Sequence, residues 1–214
     1  MTKTNKKAKQ KQESREAIRA SAAALLRERG IRASSVMDVM KGAGLTVGGF
    51  YNHFDSKEDL FVQVLQSASR ANWNSLLKSA RGDSPRARAL SVSRQYLSSH
   101  HRDCKDTGCP WPGAAAEVAR AGEPYRSALE KELSSFIKSF AQMIDAGSES
   151  REKAVALLVL MYGGLSLSQA VAGTRLSDEF LRAGKKLSAQ LLADGDVSGV
   201  CGANGKKVSN ITKK

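Results

Sequence analysis

Gly44-Leu45-Thr46-Val47-Gly48-Gly49-Phe50-Tyr51-Asn52-His53-Phe54-Asp55-Ser56-Lys57-Glu58-Asp59-Leu60 is the stretch on which the fold turns. Upstream of it, Val36, Val39 and Met40 supply the apolar face of a short helix that Ser34 or Ser35 can cap and that Gly42-Ala43-Gly44 closes. Thr46 can cap a further short segment ending near Phe54, and Phe50 and Phe54, four residues apart, share one face of it. Two short helices joined by a glycine-containing turn match the helix-turn-helix plan. Ser56-Lys57-Glu58-Asp59 then resembles a capping box with Asp in place of the usual Glu. It opens a long helix on Leu60, Phe61, Val64, Leu65 and Ala68 that is expected to reach about Ala80.

Further upstream, Glu13 to Arg29 lacks Gly and Pro, and Ile18, Ala22, Leu25 and Leu26 fall on one helical face that Gly30 terminates. Met1 to Gln12 carries Lys3, Lys6, Lys7, Lys9 and Lys11 with no acid, which predicts a flexible basic arm. Downstream, Asp83-Ser84-Pro85 restarts a helix, His100 to Gly113 reads as a break, and Leu129, Leu133, Phe136, Ile137, Phe140 and Ile144 keep helical spacing. Between Glu149 and Gly173 apolar residues cover nearly the whole helical circumference from Ala154 to Leu167. Such a helix must be buried on two sides. Gly163, Gly164 and Ser166 would let a helix of a second copy approach closely. A final helix over about Ser177 to Ala193 holds Leu176, Phe180, Leu187 and Leu191 in register, and a disordered tail is expected beyond. No segment alternates with period two, so the class is all-α. The expected division is a basic arm over 1–12, a helix-turn-helix unit over 13–58, a helical domain over 59–193 and a tail over 194–214.

The 214 residues are 41% hydrophobic with three cysteines, which excludes fibrous, collagen-like and disulfide-scaffold classes. The longest apolar run, Ala154 to Tyr162, spans nine residues, half of the roughly 18 that suggest a membrane span. With no apolar stretch after the lysine-rich start, no secretory signal is read and a reducing cytoplasm is expected. The net charge of +13 is uneven: +7 over residues 1–57, +4 over 58–193 and +2 in the tail. A concentrated positive charge attracts a polyanion by counterion release, nucleic acid above all, although a solubilising arm has the same signature.

The string from Gly44 to Leu60 closely resembles the recognition-helix signature of TetR-family transcriptional regulators, and the resemblance extends over about residues 13–62. It implies an N-terminal three-helix DNA-binding domain followed by a helical ligand-binding and dimerisation domain. Independently of the family, Val47, Gly48 and Gly49 make a leading edge poor in side chains, which lets backbone approach bases and sugars. By resemblance, Tyr51, His53 and Lys57 clamp the DNA backbone, Thr46, Val47, Gly48 and Asn52 meet bases or adjacent phosphates, and Ser35 and Val36 approach phosphates. The implied partners are a double-stranded, palindromic DNA operator, a second copy docked through the last two helices, and a small-molecule effector. A repressor is implied, with no cofactor, no metal and no catalysis. For the effector pocket, Trp73, Tyr96, Trp111, Phe136, Phe140, Tyr162 and Gln169 are candidates, because aromatics and one amide suit a mostly apolar cavity. Simple core packing explains the same residues.

His100, His101, Asp103, Cys104 and Cys109 fall within ten residues. A zinc site is one reading, although the spacing departs from the usual ligand pattern. A cysteine- or metal-dependent enzyme is the alternative function, although no third catalytic partner is recognisable. A thiol sensor is another: Cys109 precedes Pro110 where a helix begins, with Arg102 and Lys105 nearby to favour a thiolate. The segment resembles a TetR subset with Gly-Cys-Pro here, some relatives of which sense electrophiles. A Cys104–Cys109 disulfide is sterically conceivable, and packing as small apolar side chains is the plain alternative.

Overall fold

In the computed structural model, which describes residues 3–104, 109–144, 147 and 149–193, helix α1 (Lys3–Arg29) ends where Gly30 takes φ +80°. Ser35 then accepts a hydrogen bond from the Asp38 amide while the Asp38 carboxylate accepts one from the Ser35 amide, a complete capping box that starts α2 (Val36–Gly42). A 3-10 helix (Val47–Asn52) and α3 (Lys57–Lys78) follow. Ser56 caps α3 by accepting from the Asp59 amide, but Asp59 turns its carboxylate to Gln63 and the Asp55 amide, so this box is half-formed. Then come α4 (Pro85–Tyr96), α5 (Ser99–Asp103), α6 (Trp111–Ala121), α7 (Tyr125–Ile144), α8 (Ser150–Ala170) and α9 (Arg175–Ala193). No strand occurs among the described residues.

Two expectations are corrected. The basic segment is helical from Lys3 onward rather than an unstructured arm. Lys, Gln and Ala propagate a helix readily from turns that are already anchored, and Lys9–Glu13 and Gln12–Glu16 add pairs four residues apart. The break at 100–113 contains α5 and the first turn of α6, because Ser98 caps α5 by accepting from the His101 amide. The tail from 194 and Lys105 lie outside the described residues.

Two hydrophobic cores result, and they do not divide at residue 58. The first joins Ile18, Leu26, Val39, Phe50 and Phe54 to Leu60, Phe61, Val64 and Leu65 of α3, and to Ala114, Val118 and Tyr125 from α6 and α7. The second is built on Trp73, Tyr96, Leu97, Phe136, Phe140, Leu157, Met161 and Leu165. Helix α3 therefore belongs to both. Glu132, 3% exposed on α7, is held by the Arg70 guanidinium of α3 at 2.5 Å, which fixes α3 against α7.

Helices α8 and α9 pack closely through glycine. A methyl group on Gly164 would lie 2.8 Å from Leu97, and one on Gly184 would lie 2.9 Å from the same side chain. Gly164 thus serves internal packing, not a second copy as its spacing suggested, whereas a methyl on Gly163 would meet open space. By length and composition alone α8 could cross a membrane, a test that the apolar run counted above did not anticipate. Soluble-core helices pass it too, and here Ala154, Leu157, Leu158, Met161 and Leu165 are buried against the rest of the fold.

Candidate nucleic-acid interface and effector cavity

Between Thr46 and His53 the chain forms a 3-10 helix rather than an α-helix. Gly48 and Gly49 each cost about 1 kcal/mol of helix propensity, and six residues are too few to recover it. Thr46 has extended N-cap backbone, yet its side chain makes no capping bond, which leaves the hydroxyl for an outside acceptor. Phe50 and Phe54 are buried in the first core, with rings 5.8 Å apart, and so pin the segment from beneath. Tyr51 stands out from it, 71% exposed and edge-on to Phe50. Thr46, Val47, Gly48 and Asn52 are exposed as well, while Gly49, His53, Lys57, Ser35 and Val36 are half-buried. Lys57 rests its ammonium over the Phe61 ring at 5.7 Å. Ser35 has committed its hydroxyl to the Asp38 carboxylate at 2.6 Å.

Arg15 of α1 was not singled out from the sequence. Its guanidinium donates to the His53 carbonyl and to Gln63 Oε1, and lies 4.4 Å above the Phe54 ring. One side chain thereby ties α1, the 3-10 segment and α3 together. Burial lowers the His53 pKa, and the positive charges of Lys11 and Arg15 lower it further, so the imidazole is neutral at pH 7. Its Nδ1 is buried without a hydrogen-bond partner. Helical spacing from Arg15 to Gln63 is invisible in sequence, because the contact is tertiary.

The aromatic candidates for the effector pocket pack on one another. Trp73 stacks on Phe136 at 4.0 Å and on Tyr96 at 5.4 Å, meets Trp111 edge-on at 5.1 Å, and Phe136 stacks on Phe140 at 5.2 Å. Trp111 donates its indole N–H to Ser69. Tyr162 is half-buried against the same core. A cavity of about 1110 Å³ opens instead between α3 and α4, and none of the seven candidates lines it. Ala68, Ala71 and Ser75 on α3 face Ala87 and Ser91 on α4, and these small side chains at helical spacing are the signal that could have located it. Gln169 lines a second cavity, of about 800 Å³, with Ser166, Cys104 and Cys109.

The model of bacterial regulatory proteins of the tetR family matches residues 18–64, which includes the whole 3-10 segment with Phe50 and Phe54 beneath it. The repressor NemR of Escherichia coli is 29% identical over 141 residues, covering 64% of this chain and 70% of NemR. The reduced form of E. coli NemR superposes with a TM-score of 0.71 at 23% identity, over 83% of this chain and 96% of that one. The repressor KstR2 of Mycobacterium tuberculosis is 47% identical over 45 residues, 21% of this chain and 22% of KstR2. Residues 18–64 are a DNA-binding domain of the tetR type.

Beyond this domain the linker thiol is not poised as a thiolate. Cys109 is a free thiol, so no disulfide joins it to Cys104. It is 7% exposed, and burial pushes its pKa up to about 11, while the neighbouring Tyr96 hydroxyl, the Trp111 amide and the charge of Arg27 pull weakly the other way. Desolvation therefore outweighs the helix start. His101 Nδ1 donates to the Tyr96 carbonyl at 2.9 Å, and its Nε2 accepts from the Cys109 amide at 3.1 Å. Both ring nitrogens are thus spent on backbone, which removes His101 as a metal ligand or as a base for the sulfur. His101 and Cys109 therefore do not form the Cys–His pair of the enzyme alternative.

At pH 8 a thiol with pKa about 11 is roughly one part in a thousand ionised. Iodoacetamide should label Cys109 at least about a hundredfold more slowly in the folded chain than in urea, as read by peptide mapping. The raised pKa also works on stability: the neutral thiol's contribution is complete below pH 9 and is lost as pH climbs through about 11. Rapid labelling of Cys109 at pH 8 would contradict the buried geometry.

Proposed function

We propose that the chain is a homodimeric transcriptional repressor, released from a palindromic operator when a small molecule occupies the C-terminal domain. The observation that carries the reading is a recognition segment pinned by buried Phe50 and Phe54 while Thr46, Val47, Gly48, Tyr51 and Asn52 remain open to a ligand outside. Tyr51, His53 and Lys57 hold phosphates, Val47, Gly48 and Gly49 allow backbone to approach base edges, and Ser35 and Val36 flank a neighbouring phosphate. Lys6, Lys7, Lys9 and Lys11, on the helical extension of α1, add phosphate contacts and steepen the salt dependence. The domain limits 13–58 and 59–193 describe its two roles, and its place is the cytoplasm. It is not an enzyme.

Val155, Val159 and Leu167 on α8, with Leu176 and Leu187 on α9, are exposed apolar side chains that support docking of a second copy through these two helices. A dimer sets two recognition segments in successive major grooves, about 34 Å apart. Because α3 belongs to both cores, an effector that favours another position of α3 changes that separation and weakens DNA binding. The buried, protonated Cys109 supports occupancy by a small molecule as the trigger, with Cys109 modification needing prior opening of the site.

Fluorescence anisotropy with DNA from immediately upstream of its own gene, against a shuffled duplex at two salt concentrations, tests the reading. Selective binding by two protomers is expected. Tyr51→Phe and Lys57→Ala should each weaken operator affinity by about 1–2 kcal/mol, the range of a hydrogen bond to a charged group. Unchanged affinity in both variants would remove these residues from the interface.

A further inference from the structure

We propose that the cavity between α3 and α4 binds an organic anion: a carboxylate or sulfonate carried on a small apolar body. The proposal rests on the reading of this chain as ligand-responsive, and it adds the charge and character of the ligand, neither of which the sequence pattern disclosed. The cavity, of about 1110 Å³, is lined by Arg27, Arg81, Arg94, His100 and His101, and no Asp or Glu lines it among the described residues. A cavity of this size with arginines and no described acid in its wall is a selective environment. A cation entering it meets the positive charge of the arginines, and an anion is attracted over several ångströms in a setting less polar than water.

The three arginines differ in what already holds them. Arg81 donates to the carbonyls of Ser79 and Ala80 at 3.0 and 3.2 Å, so it neutralises the carboxyl end of α3 and spends part of its capacity there. Arg27 donates to the Ala23 carbonyl at 3.1 Å on α1. Arg94 on α4 makes no ion pair or hydrogen bond among the described residues and keeps its planar donor fork for a ligand.

A second, independent observation is Asn72. Its Nδ2 is buried with no hydrogen-bond partner, and Asn72 lines this cavity. A buried amide N–H₂ without an acceptor is a cost that an acceptor oxygen removes. The rest of the wall sets the ligand's other half. Ala68, Ala71, Leu76, Ala87 and Leu90 are apolar and mostly small, so the space they leave suits a compact hydrocarbon or aromatic body rather than a free inorganic ion. Arg27 sits on α1, whose Arg15 holds the recognition segment through the His53 carbonyl, so an anion drawn to Arg27 acts on an element of the DNA-binding unit.

The test uses two dyes with one ring system: 1-anilinonaphthalene-8-sulfonate and its neutral parent, N-phenyl-1-naphthylamine. Each is titrated into the full chain and followed by fluorescence. The sulfonate should bind one site per protomer at least about tenfold more tightly than the neutral parent. Arg94→Gln should bring the two affinities close to parity, and Asn72→Leu should weaken the sulfonate alone. Dodecanoate should displace the dye, whereas dodecanol and inorganic phosphate should not. Equal affinity of the two dyes, an affinity ratio untouched by Arg94→Gln, or displacement by dodecanol as effective as by dodecanoate would each overturn the proposal. An apolar dye site on the exposed α8–α9 face gives the second of these results. Operator binding of Arg94→Gln is measured alongside and should equal that of the unmodified chain. If the unmodified chain binds no operator while the dye ratio holds, the regulatory reading fails and the anion site stands.

Discussion

Gly30→Ala should destabilise the chain by about 2–4 kcal/mol. Two costs combine. Gly30 has φ +80°, where an L residue with a Cβ is disfavoured by about 1–2 kcal/mol. The added methyl would also lie 2.5 Å from Glu117 Oε2 and 2.8 Å from Oε1, so the carboxylate of α6 must move. That carboxylate accepts the Ile31 amide at 2.5 Å, and the charge-assisted bond is worth about 1.5–3 kcal/mol, part of which is lost. For a chain of this size each kcal/mol shifts the melting temperature by about 2–4 °C, so a drop of roughly 5–15 °C is expected by calorimetry. Gly30→Ala combined with Glu117→Ala should cost less than the sum of the two single changes, because the clash needs both partners. A loss below about 0.5 kcal/mol for Gly30→Ala would show that α6 does not grip the end of α1. The grip also has a functional side, since α6 reaches into the first core through Ala114 and Val118 and so links the head to the C-terminal helices at a second point besides α3.

Val159→Glu should leave the protomer folded and abolish the dimer. Val159 is 65% exposed on α8, so the single chain tolerates a carboxylate there. In the proposed isologous interface the same change is made twice, once from each copy, and buries two like charges without partners at a cost of several kcal/mol. Light scattering at micromolar concentration should give the mass of one chain, with an unchanged far-ultraviolet dichroism spectrum. Operator affinity should fall by at least about a hundredfold, because the second recognition segment no longer binds at the effective concentration that linkage provides. A dimer that persists in Val159→Glu would move the interface away from α8 and α9.

The helix-turn-helix unit was legible because it is specified by short-range chemistry. Ser35 with Asp38, Gly30 at a helix end and Phe50 with Phe54 are decided within a few residues of one another, where spacing translates directly into a cap, a left-handed turn or a shared face. The conformation of the recognition segment was less so. Its glycines were visible, and their effect on helix type was not drawn from them: the segment closes as a 3-10 turn. The aromatic character of Trp73, Tyr96, Trp111, Phe136 and Phe140 was equally plain, but residue type cannot distinguish aromatics that surround a space from aromatics that fill it. Here they stack on one another, and the space lies between α3 and α4, where small side chains face each other.

Residue order alone therefore determined the all-α class, the order of head and C-terminal helices, and the exposed set around Tyr51, because helix periodicity and capping are local properties. Tertiary structure decided what depends on residues brought together from far along the chain. Arg15 reaching the His53 carbonyl, Glu117 gripping the Ile31 amide, Glu132 held by Arg70 and His101 spending both nitrogens on backbone are all contacts of that kind. The protonation of Cys109 belongs with them, since desolvation by packed neighbours sets a thiol's pKa more strongly here than the adjacent helix start does.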